Sequence, residues 1–291
     1  ELVDSAYTFI LSAGGSRAIG SEDSYQEDST QPMPVNTEIS NIAAGDIVFD
    51  GITFTQESIG KQYLYYVTEK QPTENGLYDG TPLEGAVKNE TGQWVYEGVT
   101  YDHSVKEITA AVSSELVEET ETVRVTTSGE EFVFTNTYKA IGILDLTGTK
   151  TIDGRSFQSG DTFTFTVENT EKPQEVEKAP MPESSEVTVT PTSGNSVAVE
   201  FGTIEFTEEG TYRYQITETK GSLGGMTYDT EAKLVTVTVT DNGDGTMHVD
   251  TSYSTGESLI WENTYKAVFN TDTAVNLNGT KNLSGQSLEE S

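Results

Sequence analysis

The stretch KLVTVTVTDNGDGT (233–246) sets the fold class. Val235, Val237 and Val239 alternate with Thr236, Thr238 and Thr240, the period of two expected of a strand with one face buried. DNGDGT (241–246) follows with the Asn-Gly and Asp-Gly pairs that tight hairpin turns require. The same alternation runs through DTFTFTVE (161–168) and TYRYQIT (211–217), and no segment keeps a helical apolar stripe for three turns. The predicted fold class is therefore all-β, built as sandwiches.

Comparing the chain with itself shows how many sandwiches to expect. YLYYVTEK (63–70) matches YRYQITETK (212–220), GVTYD (98–102) matches GMTYD (225–229), and FTNTYKA (134–140) matches WENTYKA (261–267). PMP recurs at 32–34 and 180–182, and YTFIL (7–11) pairs with FTFTV (163–167). The chain reads as two copies of one module, 1–140 and 141–267, with short linkers at 140–147 and 267–277. The first copy is longer, through insertions around 14–30 and 71–97 whose composition suggests loops. LTGTKTIDGRSF (146–157), which opens the second module, recurs without a gap as LNGTKNLSGQSL (277–288). The first module thus starts without an opening strand, and 268–291 reads as a linker plus an opening strand for the next subunit or repeat.

Composition narrows the function. A net charge of -32 repels phosphate backbones and anionic bilayers, so neither a nucleic-acid partner nor membrane insertion is expected. There is no cysteine, which excludes disulfides, thiolate metal sites and cysteine nucleophiles. No apolar run reaches membrane-spanning length. Asp241 and Asp244 stand at a spacing loosely like a calcium loop, but the run of alternating ligands and the distal Glu are missing, so a hairpin turn is the better reading. His103 and His248, the two histidines, have no evident partner set; no metal and no cofactor are expected.

Parity in the strands points to the chemistry. Residues two apart share a face, so Asn263 lies in line with Leu259, Trp261 and Tyr265, and Asn136 with Phe132, Phe134 and Tyr138. Glu218 is in line with Tyr212, Tyr214 and Ile216, and Glu69 with Tyr63, Tyr65 and Val67. Lys150 shares its face with Leu146 and Ile152, and Lys281 shares its face with Leu277 and Leu283. Amine, carboxyl and amide all point inward, where each costs several kcal/mol if left unpaired, on the order of what an uncompensated buried polar group costs. Burial also favours the neutral amine and the neutral acid, which suits a nucleophile beside a proton shuttle. The amine can attack the Asn carbonyl while the Glu relays protons and helps ammonia leave, giving an amide cross-link.

The order Lys in GTK, Glu in YRYQITE or YLYYVTE, and Asn in NTYK resembles the isopeptide-linkage domains of Gram-positive backbone pilins and repetitive surface adhesins. That resemblance covers nearly the whole chain. It implies Ig-like sandwiches of the collagen-adhesin B type, with Lys150 bonded to Asn263 and Glu218 catalysing. In the first module it implies Glu69 and Asn136 as catalyst and acceptor without a local lysine. It further implies a structural role in an extracellular fibre on a bacterial surface, with no turnover beyond single-event cross-linking. Lys281 is the candidate amine for Asn136 of the next copy, arranged head-to-tail, or of the next repeat in a tandem array, with Glu69 as catalyst.

Blander readings exist: Lys150 snorkelling from a strand end, Asn263 as a hydrogen-bonded core amide, Glu69 and Glu218 as partners in buried salt bridges. Agreement of parity, order and repetition favours the cross-link. An alternative function is adhesion, in which the first-module insertions hold a host-surface ligand through Tyr78, Trp94 and Tyr96. A polysaccharide-cleaving enzyme using paired carboxylates is disfavoured, because the repeated inward carboxyl of each module already has a role.

Overall fold

The computed structural model describes residues 2–118, 120–129, 131–267, 278–280 and 284. It is all-β apart from one turn of 3-10 helix at Gln56–Ser58. No described helix is long and apolar enough to cross a membrane. Two compact units result: Glu1–Ile143 with Phe206–Gly210 and Val239–Val249, and Leu144–Glu205 with Thr211–Thr238 and Asp250–Ser291.

The first repeat contributes β1 (Thr8–Ala18), β2 (Glu38–Ser40), β3 (Lys61–Glu69), β4 (Val87–Lys88), β5 (Trp94–Tyr96), β6 (Val99–Thr100), β7 (Lys106–Val117), β8 (Thr120–Ser128) and β9 (Thr137–Tyr138). They form a sheet in the order β2-β1-β3-β7-β8 and a smaller one in the order β4-β5-β6-β9. Phe9, Leu11, Tyr63, Tyr65, Val67, Ala110 and Val112 make its core.

The second repeat contributes β10 (Gly142–Asp153), β11 (Phe163–Glu171), β12 (Glu186–Val189), β13 (Ser196–Phe206), β14 (Gly210–Glu218), β15 (Met226–Thr227), β16 (Lys233–Asp241), β17 (Met247–Tyr253) and β18 (Ile260–Tyr265). Its sheets run β13-β10-β18-β15 and β12-β11-β14-β16-β17. The Thr-Val alternation of β16 works as read: Val235, Val237 and Val239 are buried, while Thr236 is half-buried and Thr238 exposed. Phe165 of β11 meets Trp261 of β18 at 4.8 Å between ring centres, joining the two sheets across the core. The first strand, β10, and the last, β18, are parallel neighbours, with Lys150 opposite Trp261 and Ile152 opposite Asn263.

Three expectations about local structure change. Most of the linker placed at 140–147 is ordered, because β10 already begins at Gly142. The insertion near 14–30 is partly strand: β1 continues to Ala18 through a bulge at Ala13/Gly15, where Gly15 takes φ 95 and a Cβ would sit 2.2 Å from the Gln26 carbonyl oxygen. The insertion at 71–97 carries β4 and β5.

The repeats differ most where they should match. AGDIVFDGITF (44–54) aligns with SVAVEFGTIEF (196–206), placing Ile47, Phe49, Ile52 and Phe54 at the positions of Val199, Phe201, Ile204 and Phe206. The latter four lie in β13, laddered to β10, and are at most 1% exposed. The former four are only partly buried, in a segment outside any described strand. Likewise β18 spans Ile260–Tyr265, whereas its counterpart β9 is confined to Thr137–Tyr138. Alternation alone does not make a strand; the ladder needs a neighbour, and no described strand of the first repeat takes the place of β10. Between the two flanks lies a groove of about 720 Å³, lined by Asp46, Ile47, Val48, Phe132, Val133 and Phe134.

Candidate functional site

In the second repeat, β10, β14 and β18 bring Lys150, Glu218 and Asn263 together. The register of β14 against β11 sets Glu218 opposite Phe165 on the core face. All three side chains are essentially inaccessible, at 0%, 1% and 0% exposure. Lys150 Nζ lies 3.0 Å from Glu218 Oε2 and donates to the Trp261 carbonyl at 3.2 Å. Asn263 Nδ2 donates to Glu218 Oε1 at 2.6 Å. One carboxylate therefore touches both the amine and the amide nitrogen. Lys150 also lies over the Phe163 ring, 5.1 Å from its centre.

Electrostatics follow from burial. Loss of water holds the Lys150 ammonium below its ordinary range and pushes the Glu218 carboxyl above its own; the ion pair opposes both shifts, and the Asn263 hydrogen bond opposes that of Glu218, only in part. A buried ion pair of this kind is a weak stabiliser, but it is one proton transfer from a neutral amine beside a neutral acid. That state can attack the Asn263 carbonyl carbon, with Glu218 handing its proton to the departing nitrogen.

A further participant was not anticipated from sequence. The Asp229 backbone N–H donates to Asn263 Oδ1 at 2.7 Å, aimed where negative charge develops when the carbonyl is attacked. Asp229 is held in place by its own carboxylate, which accepts from the Glu262 backbone N–H at 3.3 Å and pairs with Lys233 Nζ at 3.2 Å. The signal was present: Asp229 closes the repeated GMTYD, but a main-chain donor leaves no trace in side-chain parity.

The first repeat reproduces the acceptor half. Asn136 Nδ2 donates to Glu69 Oε1 at 2.6 Å, and the Asp102 backbone N–H donates to Asn136 Oδ1 at 2.7 Å. The Asp102 carboxylate accepts from Thr135 N at 3.0 Å, as Asp229 does from Glu262. Phe9 faces Phe134 at 5.1 Å, the counterpart of Phe165 and Trp261. Two differences remain. Glu218 Oε2 has Lys150 Nζ at 3.0 Å, whereas among the described residues no lysine pairs with the corresponding buried oxygen, Glu69 Oε2. A cavity of about 630 Å³ opens beside it, lined among others by Tyr7, Phe9, Ile47, Phe134 and Asn136. Burial pushes the Glu69 carboxyl up to about 7. Lys281, the expected amine, lies outside the described residues, as does most of 268–291.

The adhesive reading loses its main aromatic. Trp94 is only 6% exposed and its indole N–H donates to the Tyr78 carbonyl at 2.9 Å, so it anchors the insertion from within. Tyr78 stacks on His103 at 5.1 Å and is capped by Lys88 Nζ at 3.8 Å, while Tyr96 is half-buried. At 241–246, Asp241 accepts from Gly243 N at 2.8 Å and Asp244 from Thr246 N at 3.0 Å, spending these carboxylates on the turn between β16 and β17.

The family model described as FctA, Spy0128-like isopeptide containing domain, matches twice, over residues 1–139 and 146–266. A crystal structure of the major pilin from Streptococcus pyogenes matches at 14% identity over 89% of this chain and 90% of that one, with a TM-score of 0.26. The T-13 major pilin of the same species matches at 15% identity over 89% and 87%, with a TM-score of 0.24. No curated protein matches the chain.

Proposed function

This chain belongs to the family of Spy0128-like isopeptide-containing domains, and from that premise we propose that it is a structural subunit or repeat segment of a bacterial surface fibre. Its second repeat is locked by an autocatalytic amide between Lys150 and Asn263, and copies associate head-to-tail by strand complementation, with Lys281 as the amine for Asn136. The chemistry is a single internal event and not turnover, and the chain works outside the cell, on the bacterial surface.

One observation carries this reading: an amine, a carboxyl and an amide, all fully buried, with the carboxyl touching the other two at 3.0 and 2.6 Å. Left as an ion pair, the arrangement strands charge in an aromatic core. As an amide it leaves a neutral acid and a neutral cross-link. The topology supplies the reason for the cross-link, since it ties the first strand of the repeat to the last.

Intact mass tests it. The purified chain is expected one ammonia lighter than its sequence, with a branched tryptic peptide joining the Lys150 and Asn263 segments. Glu218→Ala is expected to restore the missing mass while the protein stays folded but less resistant to heat and protease. An unmodified parent chain, or a Glu218→Ala variant that still loses ammonia at the parent rate, overturns the assignment.

A further inference from the structure

Lys233 is buried, at 5% exposure, and the chemistry proposed above leaves it without a task. It opens β16 on the same face as Val235, Val237 and Val239, so its stem is fixed by the core while its ammonium reaches the loop ahead of the strand. There it lies 3.2 Å from Asp229 Oδ2 and 3.1 Å from Glu231 Oε2. Burial works against the charge, yet the Glu231 and Asp229 carboxylates hold the ammonium above its ordinary range, so it stays a cation.

The carboxylate it meets is tied to both sides of the reacting amide. Asp229 Oδ1 accepts from the Glu231 backbone N–H at 3.2 Å, and Oδ2 accepts from the Glu262 backbone N–H at 3.3 Å. Glu262 immediately precedes Asn263, so this one carboxylate joins the residue that donates to Asn263 Oδ1, at 2.7 Å, to the strand that carries that oxygen. Resting on the Lys150–Asn263 reading above, we infer that Lys233 is a positioning residue for that bond. Its ammonium fixes the Asp229 carboxylate, keeps the Asp229 N–H aimed at Asn263 Oδ1 and cancels a negative charge beside Lys150 and Glu218. In the step it serves, the Lys150 Nζ–Asn263 Cγ bond forms and the Cγ–Nδ2 bond breaks. The amine's proton passes through Glu218 to the departing nitrogen, ammonia leaves, and the charge that gathers on Oδ1 meanwhile rests on the Asp229 N–H.

Charge gives the role a sign. From β10, β14, β16, β18 and the loop ahead of β16, the charged groups at the site are Lys150, Glu218, Lys233, Glu262, Asp229 and Glu231. Attack is open only in the pH window where Lys150 and Glu218 share one exchangeable proton between amine and carboxylate. An uncancelled Asp229 charge raises both groups together and moves that window to higher pH; an uncancelled Lys233 charge lowers both and moves it down. The first repeat lacks this clamp. Lys106 follows Asp102 at the spacing by which Lys233 follows Asp229, but its Nζ lies over the Phe134 ring, 5.0 Å from the centre, and among the described residues no ion pair joins it to Asp102.

The test uses the full chain, taken unbonded from inclusion bodies in denaturant at its full sequence mass and diluted into buffers from acid to alkaline pH. Intact mass follows the loss of one ammonia with time, and circular dichroism follows folding. Lys233→Met is expected to form the bond roughly tenfold more slowly at neutral pH, less than the cost of deleting an oxyanion donor, with its rate profile displaced to higher pH. Asp229→Asn, which keeps the main-chain donor, is expected to displace the profile to lower pH. Lys233→Arg, and Lys233→Met combined with Asp229→Asn, should each return it to the parent position. A merely structural lysine predicts slower folding of Lys233→Met with no displacement, and that outcome overturns the inference, as does a parent-like rate in this variant. Should Lys233→Met fail to fold, an Asp229→Asn profile that stays in place or moves to higher pH overturns it equally. A parent chain that folds without losing ammonia overturns the bond itself, which sets that failure apart from failure of this inference.

Discussion

Glu69 and Glu218 occupy equivalent seats with different company, and their protonation is where that difference can be measured. Glu218 has Lys150 within 3.0 Å; Glu69 has an amide donor and a neighbouring Asp102 charge but no paired cation among the described residues, and its carboxyl rises from an ordinary 4.5 to about 7. Between those two values the folded protein keeps a proton that the unfolded chain has already released. The raised acid therefore supports the fold at low pH, and that support is lost as pH rises from 4.5 to 7. A shift of that size corresponds to about 3 kcal/mol at the alkaline end. Glu69→Gln, neutral at every pH, should remove this dependence. Hydrogen exchange of the β3 amides, compared at pH 5 and pH 7.5, should show the parent opening more readily at the higher pH relative to the variant at the same pH. Equal pH responses in parent and variant would count against a buried, protonated Glu69.

At the scale of elements, close packing of β10 against β18 depends on one small residue. A Cβ added at Gly148 would lie 2.4 Å from Trp261 Cζ3 and 3.0 Å from Leu259 Cβ, so the indole rests directly on the glycine backbone. Gly148→Ala should cost about 1–3 kcal/mol through overpacking and lower the thermal midpoint, most clearly in a Glu218→Ala background where no cross-link masks the loss. An unchanged midpoint there would show that Trp261 moves aside freely. This level also shows what parity in the sequence can and cannot convey. Side-chain direction is a local property, so the inward placement of Lys150, Glu218 and Asn263 was legible, as was the β16 alternation and the turn after it. Ladder formation is not local: Ile47 to Phe54 alternates as β13 does yet is not a strand, because its partner strand is not supplied by the described residues. Backbone donors are equally silent, and so the Asp229 and Asp102 amides emerged only once the Asn carbonyls could be seen against them. Trp94 misled for a third reason, since an aromatic in an insertion can equally anchor that insertion from inside.

For the whole molecule, the absence of cysteine excludes a disulfide brace, so the covalent brace proposed here is the amide, and its position decides what force can reach. Tension on a fibre enters the second repeat through the start of β10 and leaves through the end of β18. Because these strands are parallel neighbours, the load shears their shared ladder, in which Lys150 stands opposite Trp261 and Ile152 opposite Asn263. Backbone hydrogen bonds resist shear only while enough of them break together, and each contributes roughly 1 kcal/mol net. An amide from Lys150 to Asn263 takes the load out of that ladder: the force path runs along β10 to Lys150, across the new bond, and out through β18. Everything between residues 150 and 263 is bypassed. Pulled as a single molecule between its termini, the parent chain should therefore show no unfolding step from this repeat at any force below covalent rupture. The Glu218→Ala chain, its ladder intact but its bond unmade, should unfold with a gain of about 400 Å in contour length, the extended reach of the bypassed stretch at about 3.5 Å per residue. The size of that step distinguishes this reading from a merely weakened sandwich: a parent chain that releases the same length, even at higher force, would mean that Lys150 and Asn263 are not the points through which load passes.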